Sequence, residues 1–425
     1  MVDNHIIAAA RAVAVVAAAA ALPLSSAAAG YSPDDTRTAI FSPDYRTLTI
    51  ETEGNRLAPA ILVDGLDDRL VIGFDGMGDE REYLRYSIYH CDANWRLSDL
   101  ADSEVFDGFN YADVEDYAFS RGTITHYVHY TISLPNEAFS FRLSGNYLLR
   151  VYPENEPEEV LLQARFMVSE GAVGVGGSVS SRTDIDYNAS HQQVAVNVDL
   201  RKYPVRDPYN DLTLRIIQNG RNDNTVTFRH PTRVNGTTLS YEHMPRLIFP
   251  AGNEYRRMEA VSTSYPGMGV DMITFEEPYY NIWLATDRPR LAGPYRFDRT
   301  QHGRFFVREY NSTSSDTEAD YVPVHFSLDL SLIPDAEVYL DGDFTHRAFD
   351  SASRMDYNPS TGRYEKTMML KQGAYNYQYL ADPPVSDIEG NFYQTVNEYL
   401  VLVYYRAPGE RHDRLIGSGV LYSGT

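Results

Sequence analysis

Strict two-residue alternation of side chains limits what this chain can fold into more than any other feature of its sequence. In residues 194–200 and 322–330, every second residue is a branched aliphatic or aromatic one, and Asn197, Asp199, His325, Ser327 and Asp329 are among the residues between them. Successive side chains of a β-strand point to opposite faces, so each run is predicted to be a strand with one face in a core. Helical periodicity is scarce, and 33 Tyr and 18 Phe also favour strands.

Turn signals separate the predicted strands. Asn219-Gly220 follows one strand pattern and supplies the positive φ values that a tight hairpin needs. Residues 153–157, Pro-Glu-Asn-Glu-Pro, separate two further runs and predict a hairpin with a longer loop. Short strands joined by such turns, without helices between them, predict an all-β fold built from sandwiches.

Two shifts in composition divide the chain. Residues 171–181 are rich in Gly, Val and Ser, and residues 311–320 are rich in Ser, Thr and acidic side chains. We therefore predict three consecutive immunoglobulin-like β-sandwiches, each of the size expected for that fold. Their predicted bounds are 30–170, 171–305 and 316–425, with a linker at 306–315.

The first residues predict export. Residues 12–24 are apolar but too short to span a bilayer, Arg11 precedes them, and the small residues 25–29 follow. This is the pattern of a signal peptide, predicted to be residues 1–29 with cleavage near Ala29. We expect a mature protein that is soluble or peripheral.

The net charge of −22 and the isoelectric point of about 4.8 restrict the class of partner. Nucleic-acid binding needs a basic face for phosphate contacts, so nucleic acid is not an expected partner. Anionic membrane surfaces are disfavoured for the same reason. The charge serves solubility, or it steers the protein toward a basic partner surface.

The sequence lacks the patterns that enzymes and metal sites require. It contains no HExxH, paired CxxC, GxSxG or phosphate-binding GxxxxGK. His126 and His129 are three apart in a predicted strand and would point to opposite faces. Residues 184–188 imitate the start of a calcium loop, but Ala189 and Ala195 occupy its obligatory Gly and Glu positions. We predict a non-enzymatic protein without catalytic, cofactor or metal residues.

Cys91 is the single cysteine and cannot form an internal disulfide. We expect it to be a small buried hydrophobic residue rather than a reactive thiol. The 59 acidic residues make chance carboxylate pairs certain, and their number alone does not indicate a glycosidase.

Several phrases, spread over nearly the whole mature chain, carry a family resemblance. They are Phe106-Asp-Gly-Phe-Asn110, Asp116-Tyr117, Thr125-His-Tyr-Val-His-Tyr130, Leu134-Pro-Asn136, Ser144-Gly-Asn-Tyr147-Leu-Leu-Arg-Val-Tyr152, Arg165-Phe-Met-Val168, Gln218-Asn219, Ala251-Gly-Asn-Glu254 and Leu370-Lys-Gln-Gly-Ala-Tyr375-Asn-Tyr-Gln-Tyr379. Together they resemble the plug protein family of the type IX secretion system of the Bacteroidetes. The resemblance implies a periplasmic protein that closes the inner mouth of a large outer-membrane β-barrel translocon when no cargo occupies it. Such a protein is associated with the membrane only through the translocon.

The C-terminal region carries a second resemblance. Val338-Tyr-Leu-Asp-Gly342-Asp-Phe344, Tyr364 and Gly373-Ala-Tyr375-Asn-Tyr377 look like early-set immunoglobulin-like domains, which include glycogen-binding modules. Those modules present Trp platforms to sugars, whereas Trp95 and Trp283 fall outside the predicted C-terminal domain. A secreted carbohydrate-binding protein therefore remains the alternative function. We interpret the row Tyr375, Tyr377 and Tyr379 as packing between sheets.

One loop is the first candidate for a partner contact. Phe106, Phe109, Tyr111 and Tyr117 lie in a segment rich in Asp. Binding residues are often on loops held by a rigid scaffold, so we expect this segment to contact the translocon.

Overall fold

The fold is described from a computed structural model, which covers residues 31–66, 68–384 and 387–424. The predicted signal peptide of residues 1–29 lies outside these residues. The predicted all-β class is confirmed: the chain is nearly all β-structure, in several separate sheets consistent with multiple β-sandwiches.

The first sandwich comprises residues 31–170. Its elements are β1 (Ala39–Ile40), β2 (Tyr45–Thr52), β3 (Ile61–Val63), β4 (Leu70–Met77), β5 (Leu84–Cys91), α1 (Asp102–Val105), β6 (Phe106–Asp107), β7 (Ala112–Asp113), β8 (Asp116–Phe119), β9 (Tyr127–Leu134), β10 (Ser140–Phe141), β11 (Gly145–Pro153) and β12 (Leu162–Ser169). One sheet has the order β1-β12-β11-β5-β7, with β3 parallel to β12, and the facing sheet has the order β2-β4-β9-β8. The hairpin predicted around residues 153–157 is confirmed, since β11 and β12 pair antiparallel.

The middle sandwich comprises residues 171–251 and 397–424. Its first part contains β13 (Gly174–Ser180), β14 (His191–Asp199), β15 (Leu212–Gln218), β16 (Thr225–Phe228), β17 (Arg233–Asn235), β18 (Thr238–Tyr241) and β19 (Ile248–Pro250). Val194, Val196 and Val198 are buried in its core, as the alternation predicts. Asn219 and Gly220 have the predicted positive φ values, 51° and 70°, but a 3₁₀ turn at Asn222–Asn224 lengthens the connection.

The third sandwich comprises residues 252–384 and 387–396. Its elements are β20 (Arg256–Glu259), β21 (Val270–Glu276), β22 (Tyr279–Leu284), β23 (Phe305–Val307), α2 (Ser315–Glu318), β24 (Tyr321–Leu328), β25 (Glu337–Asp341), β26 (Asp356–Asn358), β27 (Arg363–Lys371) and β28 (Gly373–Asp382). One sheet has the order β21-β22-β24-β27-β26, and β28 pairs with β20, β23 and β25 in the other. The remaining strands, β29 (Glu398–Tyr405) and β30 (Arg414–Tyr422), belong to the middle sandwich.

The strand pairing groups the chain differently from the consecutive blocks predicted from composition. β29 pairs with β15 over Tyr399–Tyr405, so the C-terminal strands complete the middle sandwich. β20 and β23 pair with β28, and β22 pairs with β24, so the third sandwich begins well before residue 316. The predicted joint at 171–181 contains β13, and the polar stretch 311–320 contains α2. Amino-acid composition along the chain does not show which strands pair when the partners are far apart in sequence.

Candidate partner-binding surface

Phe106 is buried in the core, unlike the exposed ring that a partner-contact loop was expected to present. It is only 1% exposed, and its ring packs edge-on against Phe139 at a centroid distance of 5.2 Å. The pairing of β6 with β10 places it opposite Phe141, between the two sheets of the first sandwich. Its apolar ring is therefore used for packing.

Phe109 and Tyr111, in contrast, project from the surface. They are 77% and 51% exposed, and their ring centroids lie 6.2 Å apart. The guanidinium carbon of Arg85 lies 5.3 Å from the centre of the Tyr111 ring. Because β7 pairs with β5, these two rings are presented beside a central strand of the sheet.

Tyr117 is half-buried on β8 and connects the exposed rings to the core. Its centroid lies 6.5 Å from that of the buried Tyr130 and 5.9 Å from that of Phe119. The Arg81 guanidinium carbon lies 4.1 Å from the Tyr117 ring centre and 4.8 Å from the Tyr83 ring centre. Tyr83 and Phe119 are 64% and 48% exposed, and the sequence analysis missed both. Residues 117 and 119 are two apart on one strand, so their side chains lie on the same face, and this spacing could have identified Phe119 as a neighbour of Tyr117.

We call Tyr83, Phe109, Tyr111, Tyr117 and Phe119 the aromatic rim. The segments that carry and flank it, residues 79–85, 107–119 and 154–159, contain eleven carboxylates and two arginines. Arg85 is paired with Asp113 at 2.7 Å and with Glu154 at 2.8 Å, so its charge is offset locally. A side-chain hydrogen bond with Glu156 raises the pKa of Glu159, as expected where carboxylates crowd together. The aromatic rim is therefore an exposed aromatic surface in an acidic setting.

A buried polar network joins the first sandwich to the third. Oδ2 of Asp75 lies 2.6 Å from Nζ of Lys371 and accepts a 2.6 Å hydrogen bond from the Tyr321 hydroxyl. Oδ1 of Asp75 lies 2.7 Å from Nδ1 of His129. Burial would raise the Asp75 pKa, but the Lys371 charge and the His129 hydrogen bond outweigh it, and the pKa is lowered. Burial lowers the pKa of Lys371 despite the adjacent carboxylate.

Backbone contacts around α2 extend this interface. The Asp320 carboxylate accepts hydrogen bonds from the amides of Ile124 at 2.7 Å and Thr125 at 3.0 Å. The Tyr127 hydroxyl donates to the carbonyl of Ala319 at 2.8 Å. The composition of residues 311–320 predicted a division between domains, but Ala319 and Asp320 pack between two sandwiches.

The other two interfaces are also closely connected. The Tyr404 hydroxyl donates to Oδ1 of Asn146 at 2.7 Å, between the middle and first sandwiches, in a buried apolar cluster. Arg414 binds Glu170 through two nitrogens, at 2.8 and 3.2 Å. Arg304 of the third sandwich pairs with the buried Glu398 of the middle one at 2.7 Å. All three sandwiches therefore contact one another, and they hold the aromatic rim on a single packed body.

The residues considered for metal binding have other partners. His126 bonds Asp79 and His129 bonds Asp75, so the two imidazoles serve different carboxylates. Asp186 accepts hydrogen bonds from Thr183 and Ser190 within its own turn. In the part of the chain that the structure describes, no group of three or more His, Cys, Asp or Glu is placed to hold a metal ion. Cys91 is buried as predicted, and burial raises the pKa of its thiol to about 12.

Two aromatic predictions for the C-terminal region have different outcomes. Tyr375, Tyr377 and Tyr379 are buried in the third sandwich, so their interpretation as packing is confirmed. Trp283 was expected to lie outside the C-terminal domain, but β22 pairs with β24 and brings it into the third sandwich. Its ring stacks on His325 at a centroid distance of 3.7 Å and an angle of 8°, partly exposed.

Two clefts in the described part of the chain are smaller than typical small-molecule sites. These clefts, one of them between the first and third sandwiches, have volumes of about 140 and 250 Å³. Small-molecule sites are usually about 300–1,000 Å³. None of the described helices is long and apolar enough to cross a membrane.

Comparison with known families and structures adds a family assignment. Residues 45–170 match the family model described as the type 9 secretion system plug protein 1st domain. A crystal structure of a hypothetical protein from Parabacteroides merdae is 42% identical, with a TM-score of 0.90. That match covers 92% of this chain and 100% of the other. A search of curated proteins finds no match.

Two further solved structures have much lower similarity. A Pseudomonas fluorescens alkylpurine DNA glycosylase is 11% identical over 29% of this chain and 30% of its own, with a TM-score of 0.16. A serine-rich repeat adhesion glycoprotein from Streptococcus agalactiae is 8% identical over 90% of this chain and 97% of its own, with a TM-score of 0.12.

Proposed function

Because the chain belongs to the type 9 secretion system plug protein family, we propose that it is a non-enzymatic periplasmic plug. In this proposal it binds the periplasmic mouth of the outer-membrane translocon and closes the pore when no cargo is present. The single observation that carries the proposal is the match of the first sandwich, which bears the aromatic rim, to the plug family model.

The contacts between the sandwiches support this role physically. A plug must keep a fixed arrangement of its domains in order to block a pore, and loosely linked domains would move relative to one another. Here a buried ion pair connects the first and third sandwiches, and a buried apolar cluster connects the first and middle ones. Separation of the first and middle sandwiches would expose the apolar side chains of that cluster to water, at about 25 cal/mol per Å² of apolar surface, so it is energetically costly.

The aromatic rim is suited to a contact that forms quickly and can be displaced. Aromatic and Arg side chains are enriched in the centres of protein interfaces, and their exposure here leaves them available to a partner. Acidic surroundings steer encounter with a basic surface and speed association. Cargo or another protein that competes for the same mouth would then shift the equilibrium toward release.

Affinity purification from detergent-solubilised envelopes tests the proposal. A tagged wild-type chain should recover a very large outer-membrane β-barrel, and its addition to that barrel in a planar bilayer should lower the ion current. The double variant Phe109→Ala/Tyr111→Ala should recover less barrel. Tyr265→Ala, which removes an equally exposed ring from the third sandwich, is the matched control and should recover as much as wild type. Failure of the wild-type chain to recover or block any barrel would overturn the proposal.

The alternative of a secreted carbohydrate-binding protein has one observation in its favour. The partly exposed indole of Trp283 lies on an outward face of the third sandwich, where aromatic rings can stack on sugars. His325 already covers one face of that indole, and the imidazole is neutral at pH 7 because burial lowers its pKa to about 4. Retention on a glycan resin that is lost in Trp283→Ala would support this alternative, and wild-type passage through such resins would remove it.

A further inference from the structure

β8 forms one edge of the sheet β2-β4-β9-β8. Among the residues that the structure describes, its strand partner is β9 alone. Asp116, Ala118 and Phe119 are exposed, whereas just beyond β8 the amide of Arg121 donates to the carbonyl of Thr317 in α2 at 2.8 Å, so the uncovered part of this edge is β8 itself. An uncovered edge strand offers unpaired backbone groups to another chain.

The register identifies which backbone groups face outward. The amide of Ser120 donates to the carbonyl of Tyr127 at 2.9 Å, and residues 118 and 116 oppose 129 and 131. Hydrogen-bonded and non-bonded pairs alternate along an antiparallel ladder, so residues 116, 118 and 120 bond inward. The amides and carbonyls of Tyr117 and Phe119 therefore point away from β9.

Two of the usual protections of an edge strand, Pro and Lys, are absent from this segment, although β8 is only four residues long. Residues 112–121 contain no Pro, and no Lys points along the edge. Glu115 and Asp116 are exposed acids at the start of β8. Their charge opposes pairing with a second copy of this acidic chain, while it attracts a basic segment.

We propose that β8 accepts an extended segment of a partner protein, with alternating basic and apolar side chains, as an added antiparallel or parallel strand. The outward backbone groups of Tyr117 and Phe119 supply the hydrogen bonds, as in other cases of strand addition. The partly exposed ring of Phe119 packs on the apolar side chains of the added strand. Glu115, Asp116 and the neighbouring carboxylates pair with its basic side chains. The inference rests on the proposed function for the identity of the partner, which would be the translocon.

A synthetic peptide of alternating lysine and valine tests strand addition directly. We expect it to bind the full chain with an affinity that falls as salt rises, and to protect the amides of Tyr117 and Phe119 from hydrogen exchange. The same peptide with alternate amides methylated, and a peptide of alternating glutamate and valine, should both bind at least about tenfold more weakly. Equal binding of the methylated peptide, or binding that leaves these two amides unprotected, overturns the inference.

Variants of the chain provide the second measurement. Glu115→Lys/Asp116→Lys should weaken the lysine-valine peptide about tenfold, or about 1.4 kcal/mol. Asp271→Lys/Glu276→Lys is the matched control with the same change in charge, because both residues are exposed acids on β21, another edge strand, and their reversal should leave binding unchanged. Equal loss in both variants would indicate a general charge effect and overturn the inference.

The experiments distinguish a failure of the strand-addition proposal from a failure of the plug proposal. If the chain recovers the barrel but the peptide does not protect β8, strand addition is wrong and the plug function stands. If the peptide protects β8 but the chain recovers no barrel, the plug function is wrong and the edge binds another basic partner.

Discussion

Nζ of Lys371 lies 2.6 Å from Oδ2 of Asp75, although the two residues are 296 positions apart in the chain. Both side chains are buried where the first sandwich meets the third, and Nζ also lies 4.1 Å from the centre of the Tyr127 ring. A buried charge without its partner is unfavourable, so this pair makes the relative position of the two sandwiches specific. The rigidity that the proposed function requires depends on contacts of this kind.

Replacement of Lys371 should destabilise the chain strongly. Lys371→Met leaves the Asp75 carboxylate buried without its cation, and we expect a loss of about 3–5 kcal/mol in the free energy of unfolding. Urea denaturation followed by circular dichroism measures it. Lys202→Met removes an exposed lysine from the middle sandwich and should change stability by less than about 0.5 kcal/mol. Similar stabilities of the two variants would contradict the structural role of the pair.

Low pH should destabilise the interface between the first and third sandwiches, because it protonates Asp75. Its pKa in the folded chain is below the ordinary value of 3.8, so the folded state favours the charged form. The resulting stabilisation is complete above that ordinary value and is lost as the pH falls through the lower folded pKa. Melting temperatures between about pH 5 and about pH 2 should therefore fall more steeply in wild type than in Asp75→Asn. Parallel curves for the two proteins would show that Asp75 is not the titrating group.

Local patterns predicted the strands, and distant pairing could not be predicted from them. Alternation identified β14 and β24, since a buried face leaves a period-two signal in the sequence. The pairing of β15 with β29 joins residues that are 181 to 193 positions apart, and the sequence of neither strand identifies its partner. Trp283 was assigned to the wrong sandwich for this reason.

The candidate surface was predicted in part for a related reason. Phe109, Tyr111 and Tyr117 belong to the aromatic rim, but Phe106 is buried through the pairing of β6 with β10. Tyr83 immediately precedes β5 and is distant in sequence from the other residues of the aromatic rim. Its position near Tyr117, with Arg81 contacting both rings, is visible only in the folded chain. A sequence shows which rings are near one another along the chain, whereas exposure depends on the completed fold.

Cys91 should be unreactive in the folded chain. Burial raises the pKa of its thiol from 9.0 to about 12, which lowers the thiolate fraction about a thousandfold. An aromatic disulfide reagent at mildly alkaline pH should therefore react slowly with native protein and rapidly in urea. Fast reaction of the native chain, at the rate of a free peptide thiol, would show that Cys91 is accessible.

Removal of the C-terminal strands should unfold the middle sandwich. A chain ending at residue 396 lacks β29, which lies between β15 and β30 and contributes the buried Tyr399, Val401 and Val403 to the core. Loss of one large buried side chain costs about 2–5 kcal/mol, so the loss of these residues together approaches or exceeds the about 5–15 kcal/mol stability of a typical domain.

We expect the shortened chain to bind a hydrophobic dye and to lose near-ultraviolet circular dichroism from its aromatic residues. A chain ending at residue 423 keeps both strands and serves as the control. Addition of a separate peptide of residues 397–424 should restore the aromatic signal, because β29 and β30 pair with each other and with β15. If the chain ending at residue 396 kept the native aromatic spectrum, residues 171–251 would fold without the C-terminal strands, and consecutive sandwiches would describe the protein better than the interleaved arrangement.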